Sequence, residues 1–206
     1  MRVPHITLVR GQTISFIYLT RSKCRFQSPP PVTRFIPEKL KQGYQRDDGL
    51  WDIESRLVDT KTYSFDNTDR GMINSGEPIH DISIRLTIDD DMTVQNAEAI
   101  IDTGPFTLCG DITPAFNVLE GLSIKPGWRK SVLQKLGGAK GCTHIVDMLL
   151  GPVAVTAWQT VSPARQKRNS PAQGGKPTLL NSCHAFRATS PIVKREWPDF
   201  YDADEK

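Results

Sequence analysis

The chain has 206 residues, 38% hydrophobic and 24% charged, with a formal charge of +3, which allows one well-buried domain plus flanking segments. No run approaches the ~20 apolar residues of a membrane helix. No dense basic stripe interleaves with aromatics either, so neither a membrane nor a nucleic acid is an expected partner.

Taken in chain order, residues 1–30 contain no acid (the first is Glu38) and read as a disordered or extra N-terminal arm, a poor secretory signal. "SPPPV" then leads stiffly into a single domain expected over 31–200. From Tyr44 to Tyr63 the pattern favours strands, broken at the Asp47-Asp48-Gly49 turn. In "WDIESRLVD", Trp51, Ile53 and Leu57 alternate with Asp52, Glu54 and Arg56, as in a half-buried strand. "SFDNTDRGMINSGEP" reads as loop. The clearest strand is "IHDISIRLTI", with Ile82, Ile84, Leu86 and Ile88 on one face and Asp81, Ser83, Arg85 and Thr87 on the other. His80 shares the apolar phase, and a histidine at the end of a buried face can look into a pocket. Asp89-Asp90-Asp91 make a hairpin turn without EF-hand spacing, and "TVQNAEAII" returns as the partner strand.

The period then changes. "TPAFNVLEGL" predicts a helix with Thr113 as N-cap, Pro114 at its first position and Gly121 at its end. "PGWRKSVLQKLGG" predicts a second, closed by Gly137-Gly138. In "KGCTHIVDMLLGPVAVTAWQ", Ile145, Met148, Leu149, Val153, Val155 and Trp158 surround the helix, which predicts a long buried helix starting near Cys142 and kinked at Gly151-Pro152. Residues 162–177 read as a flexible basic loop, and 201–206 as an acidic tail. Strands first and helices afterwards give an α+β fold, an antiparallel sheet packed on C-terminal helices.

Four cysteines far apart (Cys24, Cys109, Cys142 and Cys183), with no secretory signal, point to free thiols and a cytoplasmic location. The candidate catalytic residues are His80, Asp81, Cys142 and His144. A histidine exchanges protons near neutral pH, and a thiol at a helix start feels the positive end of the dipole. Trp51, Arg85, Phe106 and Cys109 are candidate substrate contacts. The alternative is a zinc or iron site built from Cys142, His144, His80, Cys109 and Cys183, although C-x-H plus C-H lacks C-x-x-C regularity. A bland reading stays open beside both, in which these residues are core and the chain is a non-catalytic accessory protein. G-x-S-x-G and H-E-x-x-H are absent.

The runs "DGLWDIESRLVDTK", "GEPIHDISIRLTIDDD", "LGGAKGCTHIVDMLLGPVAVTAWQT" and "LLNSCHAF" resemble the bacterial domain-of-unknown-function 2889 family over about residues 31–198. That resemblance implies a small-molecule lyase that cleaves a carbon–carbon bond in a lignin-derived aromatic compound, releases formaldehyde and needs no cofactor. A homodimer is compatible with it. More distantly, the order of strand, "DDD" hairpin, strand, Gly-containing loop, helices and Cys-headed helix is similar to iron–sulfur cluster assembly scaffolds. Of their three cluster cysteines, Cys142 matches in place. Ile79-His80-Asp81 stands where the first lies, and Gly104 is followed by Pro105, with Cys109 further on. The likeness implies a shared fold with a repurposed pocket where His80-Asp81, Pro105-Cys109 and Cys142-His144 converge.

Overall fold

A computed structural model describes residues 35–168, 176–177 and 179–203. The strands come first: β1 (Phe35–Gln45), β2 (Trp51–Lys61), β3 (Phe65–Asn67), β4 (Gly71–Ile73), β5 (Pro78–Ile88) and β6 (Val94–Thr103). A 3-10 helix (Thr107–Leu119), α1 (Trp128–Leu136), α2 (Thr143–Met148), a π-helical turn (Leu149–Val153), α3 (Ala154–Arg168) and α4 (Pro191–Glu196) follow. The fold is α+β, as the ordering of periods predicts. Among the described residues, no helix is long and apolar enough to cross a membrane. The expected N-terminal arm at 1–30 and the last three residues of the acidic tail lie outside the described residues.

The chain divides into two compact units, Met1–Thr160 and Val161–Lys206. In the first, four strands form an antiparallel sheet in the order β1-β2-β5-β6. The register of β2 on β5 is constant from Trp51↔Ile88 to Asp59↔His80. Because side chains alternate across a strand, this register puts Trp51, Ile53, Ser55, Leu57 and Asp59 on one buried face with Ile82, Ile84, Leu86 and Ile88. The helix beginning at Thr143 and the π turn that continues it pack on β5, β2 and β1. They bury Ile145, Met148, Leu149 and Val153 completely.

The regular α-helix is interrupted where the sequence places the kink. Pro152 has no N–H to donate, so the α-helical ladder cannot run through it, and the chain widens into a π turn there. The Leu149 carbonyl in this turn accepts the Trp128 indole N–H of α1 at 2.9 Å. Val155, expected among the buried positions, is 48% exposed.

Three local expectations are corrected. The stretch around Phe65 and Met72 is not all loop but a small hairpin of β3 and β4; three-residue strands are too short to show alternation. The helix expected over "TPAFNVLEGL" is a 3-10 helix that starts earlier, at Thr107. Its buried residues, Phe116 and Leu119, are three apart, which matches three residues per turn. Thr113 lies inside it and donates to the Gly110 carbonyl at 3.0 Å instead of capping. Finally, α3 runs through Arg168, into the expected loop at 162–177. Ala164, Arg165, Gln166, Lys167 and Arg168 are all good helix formers, and their propensity outweighs the Pro/Gly-rich signal that follows.

In the second unit, the Ser190 hydroxyl caps α4 by accepting the Val193 N–H at 3.1 Å. Phe186 and Trp197 pack with ring centroids 5.3 Å apart.

Candidate functional site

The buried face of β2 ends on a carboxylate. Asp59 keeps the parity of Trp51, Ile53 and Leu57 and is 1% exposed. A carboxylate taken out of water needs strong partners, and they come from directly across the sheet. The His80 backbone N–H donates to Asp59 Oδ1 at 2.8 Å. The His80 ring nitrogen Nδ1 lies 3.0 Å from Oδ1 and 2.9 Å from Oδ2. With Asp59 ionised, Nδ1 carries the proton and donates it to both oxygens, so the lone pair of the neutral ring resides on Nε2. The His80 side chain is 17% exposed, so the carboxylate is sealed while the imidazole is partly open.

Local structure holds this geometry. The register slips just beyond the pair, since Thr60 faces Pro78 and Ile79 is left over. Such a bulge frees strand carbonyls and re-aims the neighbouring side chain. Arg70, from the β3–β4 turn, supplies donors for them: Nη1 reaches the Pro78 carbonyl at 2.9 Å and the Ile79 carbonyl at 3.3 Å. Its Nη2 is held by Glu77 Oε1 at 2.9 Å. The turn itself is set by Asn67, whose Oδ1 accepts the backbone N–H groups of Asp69 and Arg70, both at 3.0 Å.

The third participant comes from the helix. Cys142 is the N-cap residue of α2, and His144 follows inside the first turn. Gly141 makes this start attainable: a Cβ there would stand 2.5 Å from the Leu136 carbonyl oxygen, so only glycine lets the chain turn tightly from α1 into α2. The rings of His80 and His144 lie 4.0 Å apart, centroid to centroid, tilted by 41°. Ligating atoms of Asp59, His80 and His144 all come within 4.8 Å of one another. Cys142 Sγ is 3.9 Å from His144 Nδ1, a weak contact beside the pair.

Of the residues singled out in the sequence, direct contacts join His80, His144 and Cys142, while Asp81, Trp51 and Arg85 are engaged elsewhere. Asp81 points to the other face of β5 and is bound to Arg56, with Nε to Oδ1 at 2.7 Å. Trp51 starts β2, eight residues from Asp59 and so ~27 Å away along the strand. It is 2% exposed and donates to Asp90 Oδ1 at 2.8 Å, as core. Arg85 lies on the solvent face between Glu54 (2.7 Å) and Glu98 (3.1 Å). A shallow groove on that face is lined by Gln42, Glu54, Arg56, Ser83, Arg85 and Glu98. Phe106 is 56% exposed just past the end of β6. Cys109 packs over Gly104, so closely that a Cβ on Gly104 would sit 2.7 Å from the Cys109 Cβ. Cys183 is exposed in the second unit. Among the described residues, the one triple of convergent metal-ligating side chains thus contains no cysteine, against the sequence-based ligand set.

Asp59 is the member of this cluster that sequence reasoning misses. The signal was available: carried two residues past Leu57, the alternation of β2 puts an acid on the buried face, opposite the one histidine that shares the buried phase of β5.

No curated protein and no solved structure matches this chain. One family model does match, over residues 39–159, a span that holds Asp59, His80, Cys142 and His144 and leaves out Cys183. The chain belongs to that family, described as a protein of unknown function (DUF2889).

Proposed function

We propose that the protein is a small-molecule enzyme whose reaction centre is the Asp59–His80 pair, with His144 as the second proton carrier. The observation that carries this reading is the grip of a sealed carboxylate on His80 Nδ1. It fixes the tautomer and the ring orientation and turns the Nε2 lone pair into a placed base. His144, stacked against the same ring, is within reach to return a proton.

The finer reading is a cytoplasmic, cofactor-independent lyase acting on a lignin-derived aromatic compound. Its chemistry balances with these groups alone. His80 takes the proton of a hydroxymethyl oxygen, the carbon–carbon bond breaks and formaldehyde leaves. The electron pair stays on a carbon conjugated with the ring, which takes a proton from His144. An aromatic substrate suits this step because its ring delocalises that electron pair. Phe106 supplies an exposed aromatic face for such a substrate: it follows β6, whose last residue Thr103 pairs with Asp81, the neighbour of His80.

The test is a screen of hydroxymethyl-bearing lignin fragments for released formaldehyde, repeated with His80→Ala. Loss of turnover by at least ~100-fold is expected, in line with removal of a placed proton carrier, with an unchanged far-ultraviolet circular dichroism spectrum. An unchanged rate would remove His80 from the reaction.

A further inference from the structure

We propose that Asp59, His80 and His144 also form a binding site for a divalent transition-metal ion of the zinc class. This rests on the reading of these three residues as the centre of the molecule's chemistry, but it asks a separate question of them.

Three observations support it. First, the donors already converge: all three ligating atoms lie within 4.8 Å of one another. Zinc holds nitrogen and carboxylate oxygen at ~2.0–2.2 Å, so two ligands of one ion stand ~3.0–3.5 Å apart. The Asp59 oxygens at 2.9 and 3.0 Å from His80 Nδ1 are close to that spacing, and the His144 ligating nitrogen stands within 4.8 Å of both partners. Second, each donor sits on a different regular element, β2, β5 and α2. Ligands carried by packed elements are positioned before the ion arrives. Third, the electrostatics favour a cation. The ion-pair partner of the 1% exposed Asp59 is an imidazole, not a lysine or arginine. A divalent ion is a stronger partner for a sealed carboxylate than an imidazole is.

The donor set also says which ion. Two nitrogens and one oxygen suit zinc, cobalt or iron, whereas calcium and magnesium take shells of oxygen. Three protein ligands leave one position of a tetrahedral ion open, the arrangement of a reactive rather than a structural zinc. Cys142 is outside the triple and lies against His144 Nδ1. An ion held by His80 Nδ1 and Asp59 would displace the Nδ1 proton and leave the ring's proton on Nε2, so metal binding and the use of Nε2 as a base exclude one another.

The experiment titrates untagged full-length protein, stripped with a chelator, with Co²⁺ followed by its visible absorption and with Zn²⁺ against a chromophoric competitor. One equivalent is expected. Affinity should fall at least ~10-fold in each of Asp59→Ala, His80→Ala and His144→Ala and remain unchanged in Cys183→Ser. Absence of saturable binding, or binding that survives loss of both histidines, overturns the proposal. Imidazole ¹⁵N resonances of the metal-free protein separate this failure from that of the enzyme reading. No binding with His80 protonated on Nδ1 removes only the metal; no binding with a rotationally averaged His80 removes both.

Discussion

The two ends of the β2–β5 pair meet the same physical demand and answer it differently. At the Trp51 end, the buried face closes on an indole whose N–H is taken by Asp90. The following turn is wrapped by Asp89, whose Oδ1 accepts the backbone N–H groups of Asp91 and Thr93 at 2.8 and 2.9 Å. Thr87 donates to Asp52 at 2.7 Å. Polar groups there serve the backbone and the turn. At the Asp59 end, the polar group is a carboxylate, its partner is an imidazole, and that imidazole faces a second one from the helix. A strand face has to end on polar atoms where the core stops, because buried polar groups left without partners are costly. When those atoms are titratable and partly open, the end of a strand becomes a candidate site.

If this contrast holds, removing the polar partner at each end should have unequal consequences. Asp59→Ala takes away the acceptor of both the His80 backbone N–H and its ring N–H. Buried donors left unpaired cost ~1–3 kcal/mol, so the urea midpoint should fall by the corresponding amount at an unchanged m-value, and His80 should lose its fixed tautomer. Asp59→Asn keeps an acceptor for the backbone N–H, so most of the stability should return while the ring orientation does not. An equal loss in both variants would show that Asp59 holds the strand alone and not the imidazole.

Trp51→Phe is the smaller break. It removes one hydrogen bond, worth ~0.5–1.5 kcal/mol, and leaves a half-buried Asp90 at a turn. Its urea midpoint should move by about that much, with His80 resonances and any metal affinity unchanged. A shift at His80 would mean that the two ends of the sheet communicate, contrary to the ~27 Å of strand between them.

The same contrast explains what the sequence discloses. Alternation over "IHDISIRLTI" makes β5 and the buried phase of His80 legible, because period 2 survives wherever one face is dry. The apolar surround of "IVDMLLGPVAV" makes the central helix legible, and Pro152 its interruption. What sequence leaves hidden is pairing. Asp59 and His80 are 21 residues apart and meet only because the β2–β5 register is constant up to that point. The His144 contact depends on the tight turn at Gly141. Trp51 looks like a substrate wall until the strand direction sends it to the far end. The β3–β4 hairpin, too short for any periodic signal, carries Arg70, the side chain that completes the bulge beside His80.

The finest difference between the ends is electrostatic. Each has an exposed carboxylate held below its usual range. At the Trp51 end, Asp48 is lowered by the Arg46 side chain and the Leu50 N–H. At the His80 end, Glu77 is lowered first by the Asn74 backbone N–H, then by the Asn74 side chain and Arg70. A carboxylate with a depressed folded-state pKa stabilises the fold above its unfolded value, about 4 for these groups, and loses that contribution as pH falls through its folded value. Between about pH 5 and pH 3, both Asp48→Asn and Glu77→Gln should therefore flatten the acid side of the stability profile, each slightly because both groups are exposed. At neutral pH the two variants should part. Glu77 Oε1 anchors the guanidinium that holds the Pro78 and Ile79 carbonyls, so Glu77→Gln should shift the imidazole resonances of His80, while Asp48→Asn should leave them in place. If Glu77→Gln also leaves them in place, the bulge is fixed by the Asp59–His80 pair alone, and Arg70 contributes to the hairpin rather than to the site.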